Sequence, residues 1–109
     1  MHDLTNVKRE IIAECGEDYV GLWSIIRKIL ATGIKGEPIV MEATLHLLLQ
    51  LLLSDELVAG QFRSEKFEIW NGHPQDIISR IKDEWIALGR SPNIGEIAWF
   101  TRIGNAAII

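Results

Sequence analysis

The chain has 109 residues, enough for one domain with a core of its own, and 48% hydrophobic with 24% charged residues exclude a disordered polar tract. The formal net charge of -4 is local: no Lys or Arg occurs between Gly36 and Phe62, while Glu37, Glu42, Asp55 and Glu56 lie inside, and these four acids account for the imbalance. That pattern argues against general affinity for nucleic acid or anionic membrane; Cys15 as the only cysteine excludes an internal disulfide and a cysteine-rich zinc site; and the longest apolar stretch, Leu45 to Leu53, is far short of a membrane span.

Gly and Pro divide the chain into short elements, without an internal repeat or low-complexity segment. A first helix is expected at about Asn6 to Cys15, closed by Gly16. A second is expected to start near Asp18, because Tyr19, Leu22, Trp23, Ile26, Ile29 and Leu30 recur at three- and four-residue steps, with Arg27 and Lys28 near the C-terminal end where the helix dipole favours cations. Gly33 and Gly36-Glu37-Pro38 end it. In the third helix, Leu45, Leu47, Leu48, Leu49, Leu51, Leu52 and Leu53 cover nearly every direction around the axis, so several elements must enclose it or one side meets another chain.

Leu57 to Phe62 and Phe67 to Trp70 read as strands joined by the polar loop Arg63-Ser64-Glu65-Lys66. Asn71-Gly72-His73-Pro74 opens a fourth helix. Pro74 suits its first position, Asp76 its positive end, and Ile77, Ile81, Trp85 and Leu88 form a stripe ended by Gly89. Asp76 with Arg80, and Arg80 with Glu84, are spaced for pairing on the wet face. For Ile94 to Phe100 two readings stand. Asn93 with Glu96 three residues on resembles a helix N-cap, and Ile97, Trp99 and Phe100 equally suit a strand added to the hairpin.

Chemistry-bearing patterns are sparse. No phosphate-binding glycine loop, nucleophile elbow or zinc-protease motif occurs. His46 follows Glu42 by one helical turn, a spacing open to ligand or acid/base work, but two residues do not make a metal site, and a histidine satisfied by Glu42 or at the core edge is the simpler account. Cys15 ends an amphipathic helix, where a small buried thiol is the usual occupant. Asp83 and Glu84 are adjacent on a helix and point about 100° apart, as solvated charge does. Of Trp23, Trp70, Trp85 and Trp99, three fall on inferred core faces, and Trp70 closes a strand where exposure is common. No cofactor or metal is expected. The N-terminus, Met-His-Asp-Leu-Thr-Asn, carries acid before any apolar run, unlike a secretory signal, so a cytoplasmic setting is expected.

Three helices followed by a two-stranded hairpin, with Leu-Leu-Leu-Ser-Asp-Glu-Leu-Val-Ala-Gly-Gln-Phe at the passage from third helix to hairpin, resemble the winged-helix fold over roughly Asn6 to Trp70. The expected class is therefore α+β, mainly helical and winged-helix-like, with a C-terminal amphipathic helix completing a single domain over residues 1–109. In DNA-binding members the third helix and wing supply basic and amide side chains to bases and phosphates. The corresponding helix here offers Glu42, Thr44, His46, Gln50 and Ser54 with no cation, and Arg63 and Lys66 are the only basic residues of the wing.

A compact acidic domain without catalytic groups also resembles, in size and charge, small bacterial immunity proteins, including those that guard against toxins of contact-dependent growth inhibition. The resemblance implies a non-catalytic protein that neutralises a basic toxin such as a nuclease, with Glu42, Asp55, Glu56, Glu65 and Glu68 as the charged surface and Trp70 as an anchor. The same acids are equally well explained as ordinary solubility charge. The alternative is a winged-helix transcription regulator acting as a dimer through the third helix or the Ile108-Ile109 tail. A small enzyme using His46 and Glu42 ranks third.

Overall fold

The computed structural model describes residues 3–106 and has an α+β architecture. Helix α1, Thr5–Glu17, starts where the Asp3 carboxylate accepts the backbone N–H of Thr5 at 2.9 Å and its hydroxyl at 2.6 Å. Those bonds hold the Asp3 carboxyl below its ordinary value. Val7, Ile11 and Cys15, spaced at four residues, form its buried stripe.

The second helix, α2, spans Leu22–Ala31 and does not begin near Asp18 as its periodicity suggested. Val20–Gly21 form a two-residue strand, β1, whose register pairs Val20 with Phe100 and Gly21 with Trp99. Gly21 is extended and serves as the helix N-cap, and the Leu22 N–H goes to the Ala98 carbonyl. Tyr19 therefore lies off the helical face, and Leu30 is 47% exposed; Leu22, Ile25, Ile26 and Ile29 make the buried face instead. Lys28, in the last turn, reaches across to Glu14 and Glu10 of α1.

Helix α3, Glu37–Leu53, packs between α2 and a later helix, α4 (Pro74–Leu88). Val40, Thr44, Leu45, Leu47, Leu48, Leu51 and Leu52 are buried. The all-round leucine pattern thus corresponds to enclosure by several elements, with the Thr44 hydroxyl satisfied by the Val40 carbonyl one turn back. Ile39, Glu42, His46, Gln50 and Leu53 form its solvent stripe. Asp55, in the left-handed region at φ 59, turns the chain out of the helix.

Strands β2 (Val58–Arg63) and β3 (Lys66–Ile69) form the expected hairpin, shifted by about one residue. Ser64 and Glu65 make its two-residue turn, both at positive φ (51° and 67°), the conformation that matches the right-handed twist of the strands. In α4, Pro74 occupies the first turn, Ile77, Ile81 and Trp85 are buried, Leu88 is half-buried, and Gly89 ends the helix at φ 69. Arg80 pairs with Glu84 at 2.8 Å; the alternative partner Asp76 has no ion pair among the described residues.

The tail resolves as strand. Glu96 does accept the Asn93 N–H at 2.7 Å, as a capping residue would, but its carboxylate is also gripped by Arg90 through both terminal guanidinium nitrogens, and Ile97 at φ 70 turns the chain into strand β4, Trp99–Thr101. A short helix, α5, Ile103–Ala106, follows. The sheet is antiparallel throughout with strand order β1-β4-β2-β3, so the last strand enters between the first two. One continuous core joins Val20, Ala59 and Phe100 of its inner face to the buried stripes of α1 to α4. The Ile108-Ile109 tail lies outside the described residues.

Candidate functional site

Side chains alternate across a strand, so burying Val20, Phe100 and Ala59 on the inner face sends Tyr19, Gly21, Trp99, Gly60, Phe62, Phe67 and Ile69 to the outer face. The outer aromatics gather into a second cluster. Phe62 lies at its centre, with ring centroids 4.9 Å from Tyr19, 5.4 Å from Phe67 and 5.6 Å from Trp99, each approached edge to face. Tyr19 and Phe67 are 4.8 Å apart. Such contacts contribute about 0.5–1.5 kcal/mol per pair beyond area burial. Phe67 is buried beneath its neighbours, yet Phe62 remains 42% and Ile69 36% exposed, so the cluster closes over itself only in part.

Two glycines make room for it. Gly21 and Gly60 flank Trp99 in the strands on either side. A Cβ at Gly60 would lie 2.1 Å from the Glu68 carbonyl oxygen and 2.8 Å from Phe67 Cζ; one at Gly21 would lie 2.8 Å from Trp23 Cδ1 and 3.4 Å from Trp99 Cζ3. Trp23 therefore borders the patch, and the Arg27 guanidinium lies 5.6 Å from its ring centroid. Nothing in local periodicity announces this surface, because its rings come from residues 19, 62, 67 and 99. The one sequence signal is Phe67 and Ile69 alternating with Lys66 and Glu68.

The residues singled out from sequence are distributed over α3, the turn that follows it, the hairpin turn and β3 with its end. Glu42 lies on the solvent stripe of α3, roughly 20 Å along the helix from Asp55, which begins the turn after it. Glu56 is half-buried there. Glu65 lies at the hairpin turn, roughly 17 Å along β2 from its start at Val58. Glu68 is exposed on β3 opposite Gln61, with Arg63 Nε 3.5 Å from its carboxylate, an exposed pair contributing about 0–1 kcal/mol. Trp70 is half-buried against the core, and the Arg80 guanidinium covers its ring at 3.8 Å, so one aromatic face is already occupied.

His46 is exposed and meets Gln50 at 3.2 Å, not Glu42. Cys15 is fully buried, its thiol donating to the Phe100 carbonyl at 3.6 Å; burial first, then the neighbouring Glu14 carboxylate, push it up to about 12, with Arg102 opposing. A thiol held neutral is a poor nucleophile. Among the described residues no three His, Cys, Asp or Glu side chains come together as a metal-binding group, and no helix is long and apolar enough to cross a membrane. Comparison with known protein families, curated proteins and solved structures found no match to this chain.

Proposed function

We propose that the chain is a non-catalytic protein-binding domain whose contact surface centres on Phe62 in the outer face of the sheet. The observation that carries this reading is a packed aromatic cluster left partly open to water at Phe62 and Ile69. Rigid aromatic groups at the surface are the side chains that most often dominate interface energy, because they bury much area and lose little rotamer freedom on binding. The partner is a basic protein, of the kind an immunity protein neutralises, drawn by the acids Glu42, Asp55, Glu56 and Glu65. Because those acids belong to separate segments, α3, the turn after it and the hairpin turn, they act on encounter rate, and the aromatic face supplies the affinity.

The order α1, β1, α2, α3, β2, β3 supports a winged-helix-like reading of the first seventy or so residues, with β4 as an added strand. It does not bring DNA binding with it. The solvent stripe of α3, where a recognition helix would present cations, holds Glu42, His46 and Gln50 between two exposed apolar residues.

The product of the neighbouring reading frame is the first partner to test. Its C-terminal domain should be toxic when made alone and tolerated when made with this chain. Calorimetric titration of the two purified proteins should give a tight complex that Phe62→Ala weakens by roughly a hundredfold, while Asp55→Lys slows association with little effect on dissociation. An affinity indifferent to Phe62→Ala, or tight salt-sensitive retention on duplex DNA in place of a protein complex, would overturn the reading.

A further inference from the structure

Strand β3 is the outermost of the sheet, and the register along it is regular over all four residues, with no proline or bulge. The Trp70 N–H donates to the Ala59 carbonyl at 2.8 Å, which makes Ala59 and Trp70 a hydrogen-bonded pair. Antiparallel alternation then commits the backbone of Glu68 and Lys66 to β2 and turns the N–H and C=O groups of Phe67 and Ile69 outward, to the free edge. Edges of this kind pair with another strand unless something blocks them.

We propose that this edge pairs with β3 of a second copy of the chain, antiparallel, about a twofold axis through Phe67. Charge selects the register. With Phe67 and Ile69 as the outward-facing residues, three symmetric arrangements are open. Phe67 opposite Ile69 places Glu68 directly against the second copy's Glu68, a like-charge pair that opposes association. Ile69 opposite Ile69 sets Glu68 against Trp70 and leaves Lys66 unmatched. Phe67 opposite Phe67 sets Lys66 against the second copy's Glu68, and Glu68 against its Lys66, so two opposite-charge cross-strand pairs form at once. Both side chains are exposed. Arg63 already approaches Glu68 from the β2 side, so each Glu68 sits between two cations, with Glu65 at the turn as the nearest other acid.

The contact is small, in the range of transient rather than obligate interfaces, so the dimer forms in the micromolar range or weaker. It also places the two Phe67 residues side by side, joining two aromatic faces into one. This inference goes beyond the function proposed above and needs no foreign partner.

Sedimentation of the purified chain alone, from low micromolar to near-millimolar concentration, should show reversible monomer–dimer exchange. Lys66→Glu and Glu68→Lys should each weaken it by about tenfold, since each turns both pairs repulsive. An equimolar mixture of the two variants should restore association, because every cross-strand pair is then opposite in sign. Ile69→Pro, which removes the outward N–H that faces the second copy's turn at Glu65 and none of those facing β2, should weaken it while thermal melting confirms that the fold persists. A chain that stays monomeric throughout, a dimer unaffected by these substitutions, or a mixture no better than its components would overturn the proposal.

Discussion

Gly60→Ala is the sharpest test of how the aromatic face is built. A methyl group at Gly60 would lie 2.1 Å from the Glu68 carbonyl oxygen and 2.8 Å from Phe67 Cζ, and the first of these is backbone that no rotamer change can move. Restoring an ordinary contact requires β2 and β3 to separate by roughly 1 Å, which strains or breaks the adjacent ladder bonds at about 1 kcal/mol each and adds an overpacking cost of about 1–3 kcal/mol. The stiffer unfolded chain returns up to about 1 kcal/mol. The net loss is about 3 kcal/mol, a fall in melting temperature of roughly 12 °C or more for a chain of this size. Gly21→Ala supplies the comparison, because there the new methyl meets the indole of Trp23, a side chain able to rotate, and the loss should be about 1 kcal/mol. Gly104→Ala, with open space around it, should change little. Thermal and urea unfolding followed by circular dichroism measures all three, with the near-ultraviolet signal reporting the ring cluster. A Gly60→Ala protein melting within about 3 °C of the parent, or one less affected than Gly21→Ala, would refute the packing argument.

Three further outcomes are expected. Ser64→Asn combined with Glu65→Gly should stabilise the hairpin by about 1 kcal/mol or more, because both positions occupy the left-handed region that those residues adopt with less strain; a lowered urea midpoint would contradict this. Cys15 should resist alkylation at mildly alkaline pH until the chain unfolds. Since the folded thiol is pushed from 9.0 to about 12, its contribution to stability is complete below pH 9 and is lost as pH rises toward 12, so Cys15→Ala should show a shallower alkaline decline than the parent. The Glu96 carboxyl, held down at about 2 by Arg90 and then by the Asn93 N–H, should titrate by nuclear magnetic resonance well below its ordinary 4.5; the clip is intact above pH 4.5 and released as pH falls toward 2, and Arg90→Ala should raise the midpoint toward the ordinary value, with the remaining Asn93 N–H keeping it somewhat below.

Elements whose residues bury one another at helical or strand spacing were legible in the sequence: the stripe of α4 between Pro74 and Gly89, the leucines of α3, the hairpin around Ser64 and Glu65. β1 was hidden because Tyr19, Leu22 and Trp23 continue the helical spacing of α2, and only a partner at Trp99 and Phe100 makes Val20–Gly21 extended. The helix signal at Asn93 and Glu96 was chemically sound, yet the acid satisfies its backbone partner without a helix following, since Arg90 holds it and Ile97 turns the chain. The acids are neighbours along the chain, but a helix of 17 residues and a strand running on from it distribute them over separate elements, which a charge count along the sequence does not reveal. The aromatic face is drawn from three distant segments, and locally only the alternation of Phe67 and Ile69 with Lys66 and Glu68 hints at it.

The insertion of β4 between β1 and β2 has a consequence for biogenesis. Val20 and Ala59 both pair with Phe100, so neither β1 nor the inner edge of the hairpin has its neighbour until that residue arrives. On a nascent chain emerging from the ribosome, the helices are free to associate early, but the sheet stays split into a lone two-residue segment and an isolated hairpin, each too small to persist alone. Closure is a single late event that ties the beginning, middle and end of the described chain together, and until then the aromatic residues face water with no scaffold to order them.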